Sequence, residues 1–565
     1  MARESVTTEA IVIGSGISGG WAAKELCEQG LKTIVLERGR NVEHVKDYHT
    51  MNMDPWDFEH RNYKPKELLE KHSKQIRFAS NVDPAHSHWF VDDREHPYNE
   101  EKRFDWIRGY HVGGRSITWG KQTYRLSNLD FEANLKDGIG VDWPVRYEDI
   151  SPWYDYVEQH IGVSGQKLGL AHLPDGKFEP PMELNCVEKH LQKSISDKYS
   201  DRLLTIGRVA HITSDKAFKG RAKCQYRNRC KRGCPYGAYF SSLSSTLPFA
   251  ADTGNLTIRP NSIVHSIIYD DKLGKATGVR VIDSETKEEI EYFAKVIFCC
   301  ASTVGSTSIL LNSKSDRFPN GLGNDSGELG HNMMDHHLGV GAYGTLEGFE
   351  DKYFTGRRPN GIYIPRFRNV DQNSQKVDFI RGYGYQGSAS RSNWTRSIQE
   401  LSVGLGIKDE YSKPGPWTMG IGGFGEILPY YDNHMYLDYD KPDQWGLPIV
   451  TFSAEFKDNE LKMRKDMQES AKEMLSNAGF KDVQGFDNDT GVGLGIHEMG
   501  TARMGRDPKT SVLNKYNQVH AVPNVFVTDG SFMTSAGCQN PSLGYMAFTA
   551  RAANYAAEQL KKKNL

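Results

Sequence analysis

Long hydrophobic runs are missing from this sequence. No stretch of ~18–20 consecutive apolar residues occurs, so no transmembrane helix is predicted. The segment from Met1 to Ala10 has no apolar signal-type region before the first strand-like run, so the chain by itself is expected to be cytoplasmic. A surplus of one charge is missing too. Seventy Lys and Arg against 72 Asp and Glu leave a net charge of −2, which argues against nucleic acid or a membrane surface as a general partner. Cysteine is scarce, with eight in 565 residues. Cys27, Cys186, Cys299, Cys300 and Cys538 are scattered or sit in apolar surroundings, so a disulfide framework is excluded. Only Cys224, Cys230 and Cys234 form a group.

Glycine, by contrast, is abundant, and the first informative stretch is built on it. Ala10 to Ile13 is a short apolar run of the kind buried in a parallel sheet. Gly14, Gly16 and Gly19 follow in G-x-G-x-x-G spacing, then a helix-like segment from Trp21, then a second apolar run, Thr33 to Leu36, ending at Glu37. In a dinucleotide-binding βαβ unit the first glycine turns the chain, the second admits the pyrophosphate and the third lets helix and strand pack. The helix N-terminus offers free N–H groups to phosphate, and the acid holds ribose hydroxyls. The spacing does not distinguish FAD from NAD. Gly420, Gly422, Gly423 and Gly425 also fit the pattern, but no helix follows and Pro429 is close, so a second nucleotide site is rejected there.

A chain of 565 residues is too long for one ordinary core, and two or more lobes are expected. Gly113-Gly114-Arg115-Ser116-Ile117-Thr118 is a flexible pair of glycines before small hydroxyl residues, which lets backbone lie against a planar ligand. The stretch from Asn255 to Cys300 alternates apolar and polar residues between turn signals and reads as a β-meander returning to the parallel sheet. Strands are predicted at Asn433–Asp438 and Leu447–Phe452, and a long helix from Asp458 to Ala478. Near the end come His497-Glu498-Met499-Gly500, a strand ending at Asp529-Gly530, and Asn540-Pro541 opening a helix from Ser542 to about Leu560.

Taken in order, the glycine loop, the Gly113–Gly114 segment, Asp142 to Tyr154, Ala301 to Leu311, Gly321 to His336 and the C-terminal motifs resemble the glucose–methanol–choline (GMC) oxidoreductases over nearly the whole chain. The resemblance implies an α/β fold. A Rossmann-type FAD-binding domain, discontinuous in sequence, would comprise residues 1–45, 100–135, 205–335 and 490–565. A second α+β substrate domain and cap, built on an antiparallel sheet, would comprise 46–99, 136–204 and 336–489. It also implies FAD rather than NAD, held by Gly14, Gly16, Gly19, Glu37, Gly113, Gly114, Ser116, Thr118, Asp529, Gly530 and Asn540. Relatives that link flavin covalently use a histidine where this chain has Thr118, so non-covalent FAD is expected.

Cys224, Cys230 and Cys234 stand at C-x5-C-x3-C-P within residues 220–240. Several soft thiolates on one short loop suit an iron–sulfur cluster, and three favour a [3Fe-4S] type. A zinc loop lacking a visible fourth ligand, or free thiols, are the alternatives. The resemblance extends to iron–sulfur large subunits of bacterial sugar dehydrogenases and to glucoside 3-dehydrogenases. It implies a small accessory subunit, a cytochrome c-type acceptor, and periplasmic location if a signal-bearing partner carries the chain out.

His497 matches the family's histidine at the reacting alcohol, and Asn540 its second position. An imidazole, ordinarily titrating near ~6.5, takes a hydroxyl proton at neutral pH, while an amide orients the oxygen without competing for the proton. The expected function is FAD-dependent oxidation of a sugar, glycoside or polyol CH–OH group. An oxygen-using oxidase and a non-redox lyase are the alternatives. Tyr383, Tyr385, Trp394, Trp417, Tyr430 and Tyr431 are candidates either to stack on a pyranose face or to fill the core. The oxidised carbon stays open.

Overall fold

A computed structural model describes residues 5–59, 63–78, 82–354, 361–376, 378–391 and 412–565, with positions 406 and 408 between them. Trp394 lies outside the described residues.

The apolar run Ala10–Ile13 is fully buried and forms the middle of a six-stranded sheet. Thr33–Leu36 pairs with it in parallel on one side and Val296–Cys299 on the other. Leu256–Arg259 continues the sheet beyond Thr33–Leu36, and Val522–Val527 lies parallel to Val296–Cys299. A short antiparallel strand, Gln518–Val519, closes that edge. Four-residue apolar strands buried on both faces are what a parallel sheet covered by helices requires. The helices Ile17–Glu28 and Ser542–Lys561 pack on each other beside it. Ala547, Ala550, Ala552, Ala553, Ala556 and Ala557 give the second helix a small-residue surface that admits this close contact.

The meander separates from this sheet. Ser262–Asp270, Lys275–Asp283 and Glu289–Phe293 make an antiparallel sheet of their own, joined at one edge by Ser5–Thr7. The chain re-enters the parallel sheet only at Val296.

A second large sheet is seven-stranded, in the order Lys481–Asp487, Val340–Leu346, Trp417–Glu426, Tyr383–Arg391, Ile362–Ile364 and Thr205–Ile206, with His336–His337 also on Trp417–Glu426. All its ladders are antiparallel. The stretch Gly420–Gly425 is mid-strand here, alternating buried and half-buried, without the strand–turn–helix geometry of a nucleotide loop. Gly387 and Gly341 are required because a Cβ would stand 2.1 Å from a carbonyl oxygen of this central strand. Helix Asp458–Asn477 covers the sheet with Met463, Met467, Ala471, Met474 and Leu475. The strands His434–Pro442 and Pro448–Ser453 do not join it; they form a three-stranded sheet with Asn99–Glu100. Among the described residues no helix is long and apolar enough to cross a membrane.

Candidate active site and cysteine loop

A cavity of about 660 Å³ runs from the glycine loop to the C-terminal motifs. Its lining includes Gly14, Gly16, Glu37, Gly114, Ser116, Thr118, His497, Asp529, Gly530 and Asn540. Residues more than 500 positions apart therefore share one space, as the sheet order demands.

The three glycines of the loop have separate physical reasons. Gly14 sits at φ +94°, and a Cβ there would lie 2.6 Å from the Cys300 carbonyl oxygen. A Cβ on Gly19 would lie 1.8 Å from the Gly14 carbonyl, so this glycine serves helix–strand packing and does not line the cavity. A Cβ on Gly16 would meet no protein atom and would project into open space. That space, over the N-terminus of helix Ile17–Glu28, fits a pyrophosphate. Glu37 accepts hydrogen bonds from the Ser15 N–H (3.0 Å), Ser15 Oγ (2.6 Å) and Gly39 N–H (3.0 Å). Burial nevertheless pushes its carboxyl above the ordinary range. Gly113, expected at the cofactor, is outside the cavity lining: at φ +90° its N–H donates to Ser15 Oγ at 2.9 Å, tying the two glycine segments together. Thr118 lines the cavity, whereas His111 is buried with Nδ1 against the Val112 carbonyl.

Asp529 caps the turn after Val522–Val527. It accepts from Ser531 N–H and Oγ, and from Ser306 Oγ, and burial raises its pKa. Gly530 leaves no room for a side chain: a Cβ would stand 2.3 Å from the Glu498 carbonyl oxygen. Glu498 and Arg115 form a two-pronged ion pair at 2.9 and 3.3 Å on the cavity wall.

His497 Nδ1 lies 2.8 Å from His336 Nδ1, and His336 Nε2 lies 2.8 Å from the Gly537 carbonyl oxygen. A carbonyl only accepts, so His336 carries its proton on Nε2 and is left with Nδ1 as an acceptor. His497 must then carry its own proton on Nδ1, and its Nε2 lone pair is free. Asn540 Nδ2 faces that Nε2 at 3.4 Å. The orientation of this amide is set by Gln386, whose Nε2 donates to Asn540 Oδ1 at 2.5 Å. Burial, then the neighbouring His336 and Arg115, hold the His497 imidazole well below its ordinary pKa. The loop carrying it is pinned by Asp335, whose carboxylate accepts from the N–H groups of Gly493, Gly495 and His497 at 2.8–3.0 Å. Burial and the nearby Glu498 push Asp335 up to about 7. His336, Gln386, Asp335, Arg115 and Glu498 were not assigned roles from the sequence. Arg115, Asp335, His336 and Glu498 stand inside the family-like stretches, which marked their positions without giving them a role.

The aromatic candidates part company here. Tyr383, Tyr385 and Trp417 are at most 2% exposed and belong to the core under helix Asp458–Asn477, so stacking on a sugar is withdrawn for them. Tyr430 hydrogen-bonds Glu460, and Tyr431 stacks on His331 at the surface. None of these five lines the cavity.

Cys224, Cys230 and Cys234 all line a second, small cavity together with His211 and Tyr239. The Tyr226 N–H donates to Cys224 Sγ at 3.5 Å, and Cys230 Sγ is 3.7 Å from His211 Nε2. Tyr226 and Asn228 take left-handed backbone, at φ 52° and 54°, to wrap the loop. Among the described residues, no three His, Cys, Asp or Glu side chains gather as a site for a metal ion.

A glycine loop on a parallel sheet, a returning C-terminal strand and a histidine–asparagine pair in one cavity define a dinucleotide-dependent oxidoreductase. The chain belongs to the GMC oxidoreductase family: residues 202–338 match its N-terminal model and 429–549 its C-terminal model. It is an FAD-dependent enzyme of the group acting on CH–OH groups. It is 27% identical to 2-methyl-1,2-propanediol dehydrogenase of Mycolicibacterium austroafricanum, over 98% of this chain and 96% of that one. Identity to the fructose dehydrogenase large subunit of Gluconobacter japonicus is 24%, over 100% of both. The gluconate 2-dehydrogenase flavoprotein of Pantoea cypripedii is 24% identical, over 100% and 95%. In fold it is similar to a formate oxidase from Aspergillus oryzae, with TM-score 0.62 at 14% identity over 100% of both chains.

Proposed function

We propose that this chain is a dehydrogenase oxidising a secondary or primary CH–OH group of a sugar, glycoside or polyol, with His497 as the base. The observation that carries the reading is the proton order along Gly537, His336 and His497, which leaves the His497 Nε2 lone pair in the cavity that the glycine loop enters. A substrate hydroxyl entering beside Nε2 replaces the long 3.4 Å contact to Asn540. Asn540 Nδ2 then donates to the alcohol oxygen while Nε2 takes its proton. The imidazolium so formed keeps Nδ1–H on His336, and the positive charge arises at the wall where Glu498 pairs with Arg115. FAD, when bound, supplies N5 as the hydride acceptor. Gly14, Gly16 and Glu37 would hold its adenosine diphosphate end. Gly114, Ser116, Thr118, Asp529, Gly530 and Asn540 would hold the rest. With threonine at 118, the FAD is non-covalent.

A [3Fe-4S] cluster is proposed on the chemistry of the donor set: Cys224, Cys230 and Cys234 are three soft thiols on one short loop and line one small cavity. The full-length similarity to a fructose dehydrogenase large subunit and a gluconate 2-dehydrogenase flavoprotein supports a further subunit beside this chain; electron exit to a cytochrome c-type protein and periplasmic export with a small signal-bearing subunit complete the proposal.

Anaerobic mixing with a panel of sugars, glycosides and polyols tests the core of this reading, with NMR of the product. Flavin bleaching is expected with at least one of them, together with dye reduction and little peroxide. No bleaching across the panel would refute a sugar or polyol substrate; fast peroxide release would make it an oxidase. Iron and acid-labile sulfide are expected in anaerobically purified protein, and their absence removes the cluster.

A further inference from the structure

Two cations are buried against the cysteine loop, and among the described residues no carboxylate balances them. Lys121 is fully buried, and its Nζ has no hydrogen-bond partner. Its ammonium rests 4.2 Å over the ring of Tyr239, which itself lines the cysteine cavity. Arg221 is 7% exposed; its Nε donates to the Gly237 carbonyl, but one terminal nitrogen is unpartnered. Burying a charge without a partner is costly, and such groups ordinarily pair or lose their charge. Burial does depress both, Lys121 to about 8 and Arg221 to about 9. Cys230 and Cys234 are near enough to act electrostatically on Lys121, and Cys234 on Arg221.

Lys121 is also placed with effort. It takes φ 63°, a left-handed backbone that a lysine adopts only when its surroundings enforce it. From that position it lines the main cavity, three residues after Thr118. Its neighbour Tyr239 donates its hydroxyl to the Ile117 carbonyl at 2.7 Å. Lys121 thus lies between the flavin cavity and the sulfurs.

We infer that Lys121 and Arg221 are the built-in counter-ions of an anionic sulfur centre on Cys224, Cys230 and Cys234, and that Lys121 sets its reduction potential as a positioning charge between that centre and the flavin cavity. The inference rests on the cluster reading given above. A fixed positive charge stabilises the form holding the extra electron, so its removal lowers the potential. Charge effects of this kind are strong where water is excluded.

The test is an EPR redox titration of anaerobically purified holoenzyme, with iron, sulfide and bound FAD measured on each sample. Lys121→Met keeps the aliphatic stem and removes the charge. At a fixed potential its oxidised-to-reduced cluster ratio is expected to rise at least about tenfold, ~59 mV for one electron. Lys121→Arg should return most of that shift, and Arg221→Met should move it in the same direction as Lys121→Met. Loss of iron and sulfide with FAD retained also supports the inference, because the cations then hold the cluster. If Lys121→Met loses FAD as well, Lys121→Gln is compared with Lys121→Arg, and Arg221→Met gives the independent measure. Full cluster content with unchanged potential in the charge-removing variants overturns the inference alone. No iron or sulfide in the wild-type protein overturns the cluster reading and the inference together.

Discussion

Replacing His336 by leucine separates the base from the group that prepares it. The Gly537 carbonyl fixes the proton on His336 Nε2, and His336 Nδ1 is then the acceptor for His497 Nδ1–H at 2.8 Å. Leucine keeps an apolar volume there and removes that acceptor. With His497 buried, an N–H left without an acceptor costs about 1–3 kcal/mol, which at 1.4 kcal/mol per decade is roughly 5- to 150-fold. His497 recovers by turning its lone pair to Nδ1, and the tautomer with Nε2 free is depopulated by that factor. Stopped-flow bleaching of bound flavin by the best substrate of the panel should slow accordingly, with substrate affinity changed much less. His336→Asn, with an oxygen where Nδ1 stands, should recover part of the rate. The pair is also non-additive: because His336 acts only through His497, His336→Leu added to His497→Ala should cost nothing more. A His336→Leu enzyme that bleaches at the wild-type rate, or a double variant clearly slower than His497→Ala, would refute the proton order.

Other outcomes follow from the same geometry. His497→Ala should keep FAD and slow flavin reduction about 10²–10⁴-fold, the range of general base catalysis; a normal rate in rapid mixing excludes His497 as base. Since His497 is held well below 6.5, it is neutral at and above that pH, and the reduction rate should stay flat from 6.5 upward and fall only in more acid solution. Gly16→Ala should yield a folded protein that loses FAD, because its Cβ meets only the space of the cofactor, whereas Gly19→Ala, 1.8 Å from a carbonyl, should unfold or aggregate; circular dichroism with flavin absorbance separates them. Stability should also fall with acid. His88, His111 and His336 are depressed to about 4, and His96 and His160 to about 3, so between those values and ~6.5 the unfolded chain binds more protons at each. Asp335, raised to about 7, Asp130, to about 6, and the buried Glu37, Glu460 and Asp529, raised as well, act in the opposite sense, but His44, His72, His172, His331, His337, His497 and His520 are lowered too, so the histidines outnumber them. The melting temperature should therefore drop as pH goes from 6.5 to 4, and a rise would contradict the buried neutral histidines.

What the sequence disclosed was local chemistry; what it withheld was long-range contact. Gly14, Gly16 and Gly19 were readable because a turn, an open face and a close packing each leave a mark at fixed spacing within ten residues of an apolar strand. The helices Asp458–Asn477 and Ser542–Lys561 were readable from their amphipathic pattern and, for the second, from Asn540-Pro541. His336 and Gln386 were not, since their partners His497 and Asn540 lie 161 and 154 residues away and no local pattern records such a pairing. Nor did alternation reveal which sheet a strand would join. His434–Pro442 has the same strand-like pattern whether it extends the seven-stranded sheet or pairs with Asn99–Glu100 through Pro448–Ser453. The aromatic residues failed for a related reason: a tyrosine on a buried strand and one on a binding face look alike until the covering helix is in place.

The strand Val296–Cys299 has Ala10–Ile13 on one side and Val522–Val527 on the other. During synthesis these three do not become available together. At ~5–20 residues per second, the ribosome needs roughly half a minute to two minutes to go from the first of them to the last. From its own emergence until Val522–Val527 follows, roughly ten to forty-five seconds at that rate, Val296–Cys299 has an open edge of apolar residues, and the turn at Asp529 that closes the cavity has not been made. Cofactor capture in this protein is therefore a late, post-translational event, and the waiting edge is where a chaperone has reason to bind.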